Sequence, residues 1–255
     1  MRLRQERTEA ILAAIAVGDT DVDSLAARFG VSASTIRRDL QHLSTQQAIT
    51  RTYGGAVLAS PAQEPSLRAR KGQHRAAKAA IAAAALAEIR DGETLILDGG
   101  STVEALGYLL RARRQRVITN NLSLIPVLVG SPGIELVVLG GMVRPISMGT
   151  TGPLAEQALR QMTADKVFTS ADGIVAERGM CEATLEQAAL KGLMAQQAAE
   201  VFVLADASKL GRASQPCWTP FHRGWSLVTD APEHLCAPYR AAGLRVIHTD
   251  VRKGF

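Results

Sequence analysis

The sequence predicts two unlike parts in one chain: a small, mainly helical unit over residues 1–58 and a larger α/β domain over residues 76–255, joined by residues 59–75. Three observations carry this. Short apolar patterns of helical period fill the first part. A stretch with two prolines and no apolar period follows. From residue 93 onward, β-rich runs alternate with helical ones, the pattern of a mostly parallel sheet.

Composition fits a chain able to bury a core, with 47% hydrophobic and 21% charged residues. The longest apolar stretches, such as 134–140, are far too short to span a bilayer. The opening MRLRQERTEA lacks the apolar stretch of a secretory signal, so a cytoplasmic protein is expected. Cys181, Cys217 and Cys236 are odd in number, far apart and without a CxxC pair. No metal site, disulfide framework or cofactor is expected. The net charge of +5 is concentrated at the joint, because Arg68, Arg70, Lys71, Arg75 and Lys78 face Glu64 alone in residues 59–78. A basic joint suits contact with a polyanion, or is simply a solvated linker.

In the front part, Arg7, Ile11 and Ile15 recur every four residues. Val22, Leu25, Ala26 and Phe29 then form an amphipathic stripe that stops at Gly30. The next pattern, VSASTIRRDLQHL, is capped by Ser32 or Ser34 and turns Ile36, Leu40 and Leu43 inward. Two helices about a short turn containing glycine, the second outwardly polar and basic, make a helix-turn-helix. In that motif the second helix enters the DNA major groove. Its candidate contacts are Ser32, Ser34, Thr35, Arg37 and Arg38. Residues 48–57, AITRTYGGAV, read as a hairpin, the wing of a winged helix, adding Arg51 and Tyr53. Asp39 reads either as part of that surface or as the structural partner of an arginine, Arg38 or one on the wing.

In the back part an alanine-rich helix from Ala76 opens the domain. Strands are expected near 94–98, 116–120, 134–140, 166–171, 201–206, 225–229 and 244–249. Helices are expected near 102–110, 122–129, 154–162, 185–199 and 232–242. Near-continuous apolar strands such as LVVLG suit a sheet covered on both faces. Ligands of such sheets sit at the strands' carboxyl ends. Those ends are polar here: Asp98-Gly99-Gly100-Ser101-Thr102, Thr119-Asn120-Asn121, Gly140-Gly141 with Arg144, Asp172-Gly173, and Asp206 with Ser208 and Lys209. Glycines before a helix start let an anion approach backbone N–H groups, and Ser101 and Thr102 add hydroxyls. Lys191, Lys209 and Arg144 are candidate counter-charges to a phosphate. Asp172, Glu182 and Asn120 are of the types that bind sugar hydroxyls.

The spacing from Arg7 through Thr35-Ile36-Arg37-Arg38-Asp39-Leu40 to Arg51 and Gly54-Gly55-Ala56 resembles the signature of the DeoR family of bacterial repressors. The back domain is similar to that family's sensor at Asp98–Thr102, Thr119–Asn121, Gly140-Gly141, Asp172-Gly173-Ile174, Glu182, Lys191 and Asp206-Ser208-Lys209. The resemblance implies a fold like ribose-5-phosphate isomerase and related sugar-phosphate enzymes. It also implies a homo-oligomer, dimer or tetramer, bound to operator DNA and controlled by a phosphorylated sugar or related metabolite. The function it implies is a regulator, and a repressor of sugar catabolic genes. The alternative is an isomerase-like enzyme fused to a DNA-binding domain. The family more often carries Asp-Ser-Gly-Thr-Thr where this chain has Asp98-Gly99-Gly100-Ser101-Thr102, which bears on the ligand.

Overall fold

A computed structural model describes residues 2–16, 19–45, 49–52, 55–58 and 66–249. The front unit consists of α1 (Arg2–Ala16), α2 (Val22–Phe29), α3 (Ala33–Thr45) and the antiparallel strands β1 (Ile49–Thr52) and β2 (Gly55–Leu58). Asp21 starts α2 by accepting from the backbone N–H of Asp23 and Ser24 at 2.9 and 3.0 Å. Gly30 ends it in the left-handed conformation (φ 61, ψ 34), so α3 departs in a new direction after a short turn. Ile11, Ile15, Val22, Leu25, Ile36, Leu40, Leu43 and Ile49 close one apolar core. That is the expected winged helix-turn-helix.

The remaining elements are α4 (Leu67–Gly72), α5 (Arg75–Ala87), β3 (Thr94–Leu97), α6 (Ser101–Leu109), β4 (Gln115–Thr119), α7 (Ile125–Leu128) and β5 (Ile134–Val138). They continue with β6 (Met142–Arg144), β7 (Gly149–Thr151), α8 (Pro153–Leu159), β8 (Ala164–Thr169), β9 (Gly173–Val175), β10 (Gly179–Glu182) and α9 (Leu185–Gln196). The chain closes through β11 (Ala198–Leu204), β12 (Cys217–Thr219), β13 (Ser226–Thr229), α10 (Glu233–Ala241) and β14 (Arg245–His248). Seven strands form a parallel sheet in the order β14-β13-β11-β8-β3-β4-β5, and they are the seven expected from sequence. Both faces are covered. Leu95, Leu97, Val117, Phe168 and Phe202 pack on the side of α5 and α6, whereas Ile96, Ile118, Val167 and Val203 pack with Leu190, Leu193 and Met194 of α9. This double burial is why the strands read as apolar runs rather than alternating ones.

From β3 the chain moves outward through β4 and β5, then returns to β8 on the other side of β3. The carboxyl ends of β3 and β8 therefore flank the point where strand order reverses, the place where such sheets leave a crevice. The hairpin β6–β7 and the small antiparallel sheet β12-β10-β9 border this end. They were not expected; most of these strands hold three residues, too few for a period to register.

One segment expected to be irregular is not. Within residues 59–75 the structure places α4, capped by Ser66 and docked on the sensor domain by the buried Leu67, whose N–H donates to Ile146 O at 2.8 Å. With only Leu67 and Ala69 apolar in six residues, α4 shows no amphipathic period. Some of the joint's charges are also engaged by the sensor domain: Arg70 pairs with Asp172 at 3.6 Å, Lys71 with Glu104 at 2.7 Å, and Lys78 Nζ donates to Arg70 O, whereas Arg68 and Arg75 are exposed.

Candidate effector site and DNA-recognition surface

On α3, Ser34, Arg37 and Arg38 are exposed and Thr35 is half-buried, all on the side away from the core. Ser32, though exposed, also caps the helix, accepting from Thr35 N at 3.2 Å and sharing hydrogen bonds with the Ser34 and Thr35 hydroxyls. Arg51 lies in β1, and Tyr53 lies outside the described residues. Asp39 is buried and pairs with Arg7 of α1, Nε to Oδ2 at 2.8 Å. It locks α1 against the recognition helix. Asp39→Ala is expected to lower the domain's stability by about 1–3 kcal/mol, the cost of stranding a buried charge-assisted bond. Thermal unfolding of the variant checks this.

At the reversal point the sensor domain holds a buried charged cluster. Asp98, at the end of β3, accepts from Gly99 N and Thr169 Oγ1, both at 2.6 Å, and from Lys191 Nζ. Lys191 also reaches Ser170 O at 2.6 Å and Glu182 at 3.2 Å. Burial pulls the Lys191 pKa down, but the charges and hydrogen bonds of Asp98 and Glu182 outweigh it and hold the ammonium above the usual lysine range. Burial pushes the Glu182 carboxyl up to about 8; Lys191 opposes this, and Asp172 and Asp98 add to it. One proton is thus stored on Glu182 near neutral pH.

Two hollows meet here. The first is lined by Asp98, Asn120, Asp172, Glu182, Lys191 and Arg70. The Asn120 amide donates to Thr150 O at 3.2 Å, leaving its buried Oδ1 without a hydrogen-bond partner. The second hollow is lined by Ser101, Thr102, Lys78, Lys209, Arg212 and Asp206. Arg70, Ser170 and Ala171 line both. The first carries three carboxyl groups with two cations, Lys191 and Arg70, and the second four cations, Arg70 again among them, against one carboxylate. Lys209 is pulled below its usual range by burial and by Arg212 and Arg70, against the pull of Asp172 and Asp206.

Of the expected ligand residues, Asp98, Gly99, Gly100, Asn120, Asp172, Glu182 and Lys191 gather around the first hollow, and Ser101, Thr102 and Lys209 around the second. Thr119, Asn121, Gly140, Gly141, Arg144 and Gly173 line neither. The Thr119 hydroxyl bridges Leu97 O (2.5 Å) and Asn121 N (3.0 Å), and Asn121 caps the turn at 122–124, accepting from Ser123 N. Lys191 was expected as a counter-charge to phosphate; in the structure the Asp98 carboxylate and the Glu182 carboxyl group already hold it. Arg70, Lys78 and Arg212 were missed. Lys78 had a visible signal, being the lone charge in the run AAKAAIAAAA.

The glycine pair also sorts itself. Gly100 has φ 136, and a Cβ there would lie 2.1 Å from Ser170 Oγ, whereas nothing stands within 4 Å of a Cβ at Gly99. Gly99→Ser is therefore expected to leave stability within about ±0.5 kcal/mol of the parent. It adds a hydroxyl on the wall of the first hollow. Thermal unfolding and a ligand titration check the two halves separately.

Sequence comparison agrees with this architecture. Residues 7–62 match the DeoR-like helix-turn-helix domain and residues 73–231 the DeoR C terminal sensor domain. The HTH-type transcriptional repressor GlcR of Bacillus subtilis (strain 168) is 36% identical over 203 residues, 78% of each chain. The transcriptional repressor AccR of Agrobacterium fabrum is 32% identical over 213 residues, 82% of this chain and 83% of its own. The glycerol-3-phosphate regulon repressor of Escherichia coli (strain K12) is 29% identical over 216 residues, 84% of this chain and 86% of its own. Ribose 5-phosphate isomerase A from Methanocaldococcus jannaschii overlaps 52% of each chain at a TM-score of 0.38 and 19% identity, too loose a likeness to carry an argument about chemistry. With both halves matched in order, and relatives aligned over most of its length, the chain belongs to the DeoR family of transcriptional regulators.

Proposed function

We propose that this regulator represses a sugar catabolic operon and that a phosphorylated sugar or polyol sets its affinity for operator DNA. The observation that carries the ligand class is a carboxyl-rich hollow adjoining one in which cations outnumber carboxylates. The cationic one suits a phosphate, held by Lys209, Arg212 and the N–H groups and hydroxyls at the start of α6. The carboxyl-rich one suits hydroxyls, with Asn120 Oδ1, Asp172 and the protonated Glu182 as acceptors and donor. The name of the glycerol-3-phosphate regulon repressor among its relatives supports this class.

Sensing accounts for the site better than turnover does. An isomerase needs a carboxylate placed to take a proton from carbon. Asp98 is instead saturated by Lys191, Thr169 and Gly99 N. A thermal-shift screen of sugar phosphates against the same sugars without phosphate tests the class: stabilisation by the phosphorylated set alone is expected. Steady product formation at enzymic rates in the same mixtures would overturn the sensor reading.

At the other end, Ser34, Thr35, Arg37 and Arg38 of α3 enter the major groove, with Arg51 and Tyr53 on the wing. A homo-oligomer in the cytoplasm places several such helices on repeated half-sites. Arg37→Ala is expected to weaken operator binding by about 1–3 kcal/mol and to relax sequence preference at one position if it reads a base. Uniform weakening across sequences in a binding titration assigns it to phosphate. Unchanged binding with both arginines replaced removes α3 from the interface.

A further inference from the structure

We propose that Arg70 and Lys78 are ligand-binding residues: the joining segment and the first helix of the sensor domain each supply one of the four cations of the phosphate hollow, and Arg70 exchanges Asp172 for the bound anion. This rests on reading the cationic hollow as the effector's phosphate site.

The cations there outnumber the carboxylates. Lys78, at the start of α5, is 7% exposed. Burial pulls its pKa down, and Lys209 and Arg70 push the same way while Asp206 opposes. Repulsion of this kind is relieved by an anion between the cations. Arg70 lines the carboxyl-rich hollow, where Nη1 stands 3.6 Å from Asp172 Oδ1, and it lines the cationic one as well. A phosphate offers its guanidinium a two-pronged partner on the other side of the shared wall.

Such an exchange has mechanical consequences because Arg70 sits on α4. The ties of the helix to the sensor domain include Leu67 N to Ile146 O, Lys71 to Glu104, Arg70 to Asp172, and Lys78 Nζ to the Arg70 carbonyl itself. Between α4 and α5, His74 holds φ 53 and ψ 37, a left-handed backbone uncommon for a residue other than glycine. A ligand that draws on both Arg70 and Lys78 acts on both ends of that bend. The helix lies next in the chain to the wing, so an anion there bears on the DNA-binding unit without touching it.

The test uses the full chain and inorganic phosphate, titrated at constant ionic strength and followed by thermal unfolding. Phosphate is expected to stabilise the parent and to lose that effect in Lys209→Met. Lys78→Met and Arg70→Gln are expected to raise the apparent Kd about tenfold or more, the loss of one charge-assisted bond. Asp172→Asn is expected to tighten phosphate binding in the parent and not in the Arg70→Gln background, because its gain comes from freeing Arg70. If either single variant unfolds, Lys78→Arg and Arg70→Lys keep the charge, and their binding is expected to fall between parent and deletion. No stabilisation of the parent by phosphate would overturn the site reading itself. Stabilisation lost in Lys209→Met but unchanged at Lys78 and Arg70 would overturn only this inference, as would an equal gain from Asp172→Asn in both backgrounds.

Discussion

Lys191→Met is expected to destabilise the sensor domain by about 3–5 kcal/mol, the scale for breaking a buried ion pair from one side. The change keeps the bulk of the side chain, so the loss isolates charge. It strands the charge of Asp98 and removes a hydrogen-bond partner of Glu182, both almost wholly buried. Glu182 in the parent adds a pH signature. Its carboxyl ordinarily titrates near 4.5 and is raised to about 8 by burial, so between those values the folded chain holds a proton the unfolded chain has released. Stability from this group is therefore full below about pH 4.5 and falls as pH rises toward 8, by at most about 1.4 kcal/mol per pH unit. Lys191, held above the lysine range, stays charged throughout that window. Urea unfolding at pH 5.5 and 8.5, compared between parent and Glu182→Gln, reads the effect: the parent should lose more on going to pH 8.5. Parallel profiles would place an ionised carboxylate in the cluster instead.

Gly173→Ala is expected to cost about 2–3 kcal/mol, the upper range for an overpacked site. An added Cβ would stand 2.1 Å from the Arg212 carbonyl oxygen and 2.8 Å from its carbon, and neither is a side-chain end that can swing aside. The segment that must yield runs past Lys209 and Arg212. It is tied to β9 through Gly211 N to Ile174 O and to α10 through the Tyr239 hydroxyl, which accepts from Gly211 N. Anion binding should therefore weaken with stability, although Gly173 lines no hollow. A variant that folds like the parent and titrates phosphate normally would show that the loop gives way freely.

The large-scale fold was legible because its causes are written locally. Strands buried on both faces must be apolar throughout, so all seven declared themselves. Helices α2 and α3 carry an apolar stripe, a cap or stop and an outward polar face. The site was legible where glycine, hydroxyl and carboxylate crowd a strand end, as at Asp98–Thr102. It was illegible where a residue acts across the fold. Nothing near Thr119 in sequence tells that its hydroxyl is spent on Leu97 O, and nothing near Lys191 tells that Asp98, ninety-three residues away, already pairs with it. Arg70 looked like one more basic residue in a linker, because its partner Asp172 lies a hundred residues on and α4 is too short to show a period.

The docking of α4 also sets a length. With Leu67 pinned at the sensor, eight Cα steps separate Leu58 at the end of the wing from Ser66, a reach of at most about 29 Å when fully extended. Were α4 released as far as Arg75, seventeen steps would be free and the reach would grow to at most about 61 Å. In the proposed homo-oligomer, the volume searched by each winged helix grows steeply with that leash, and its effective concentration at a neighbouring half-site falls accordingly. In such an oligomer, the docking of a six-residue helix thus makes the difference between DNA-binding units that act together and units that act alone.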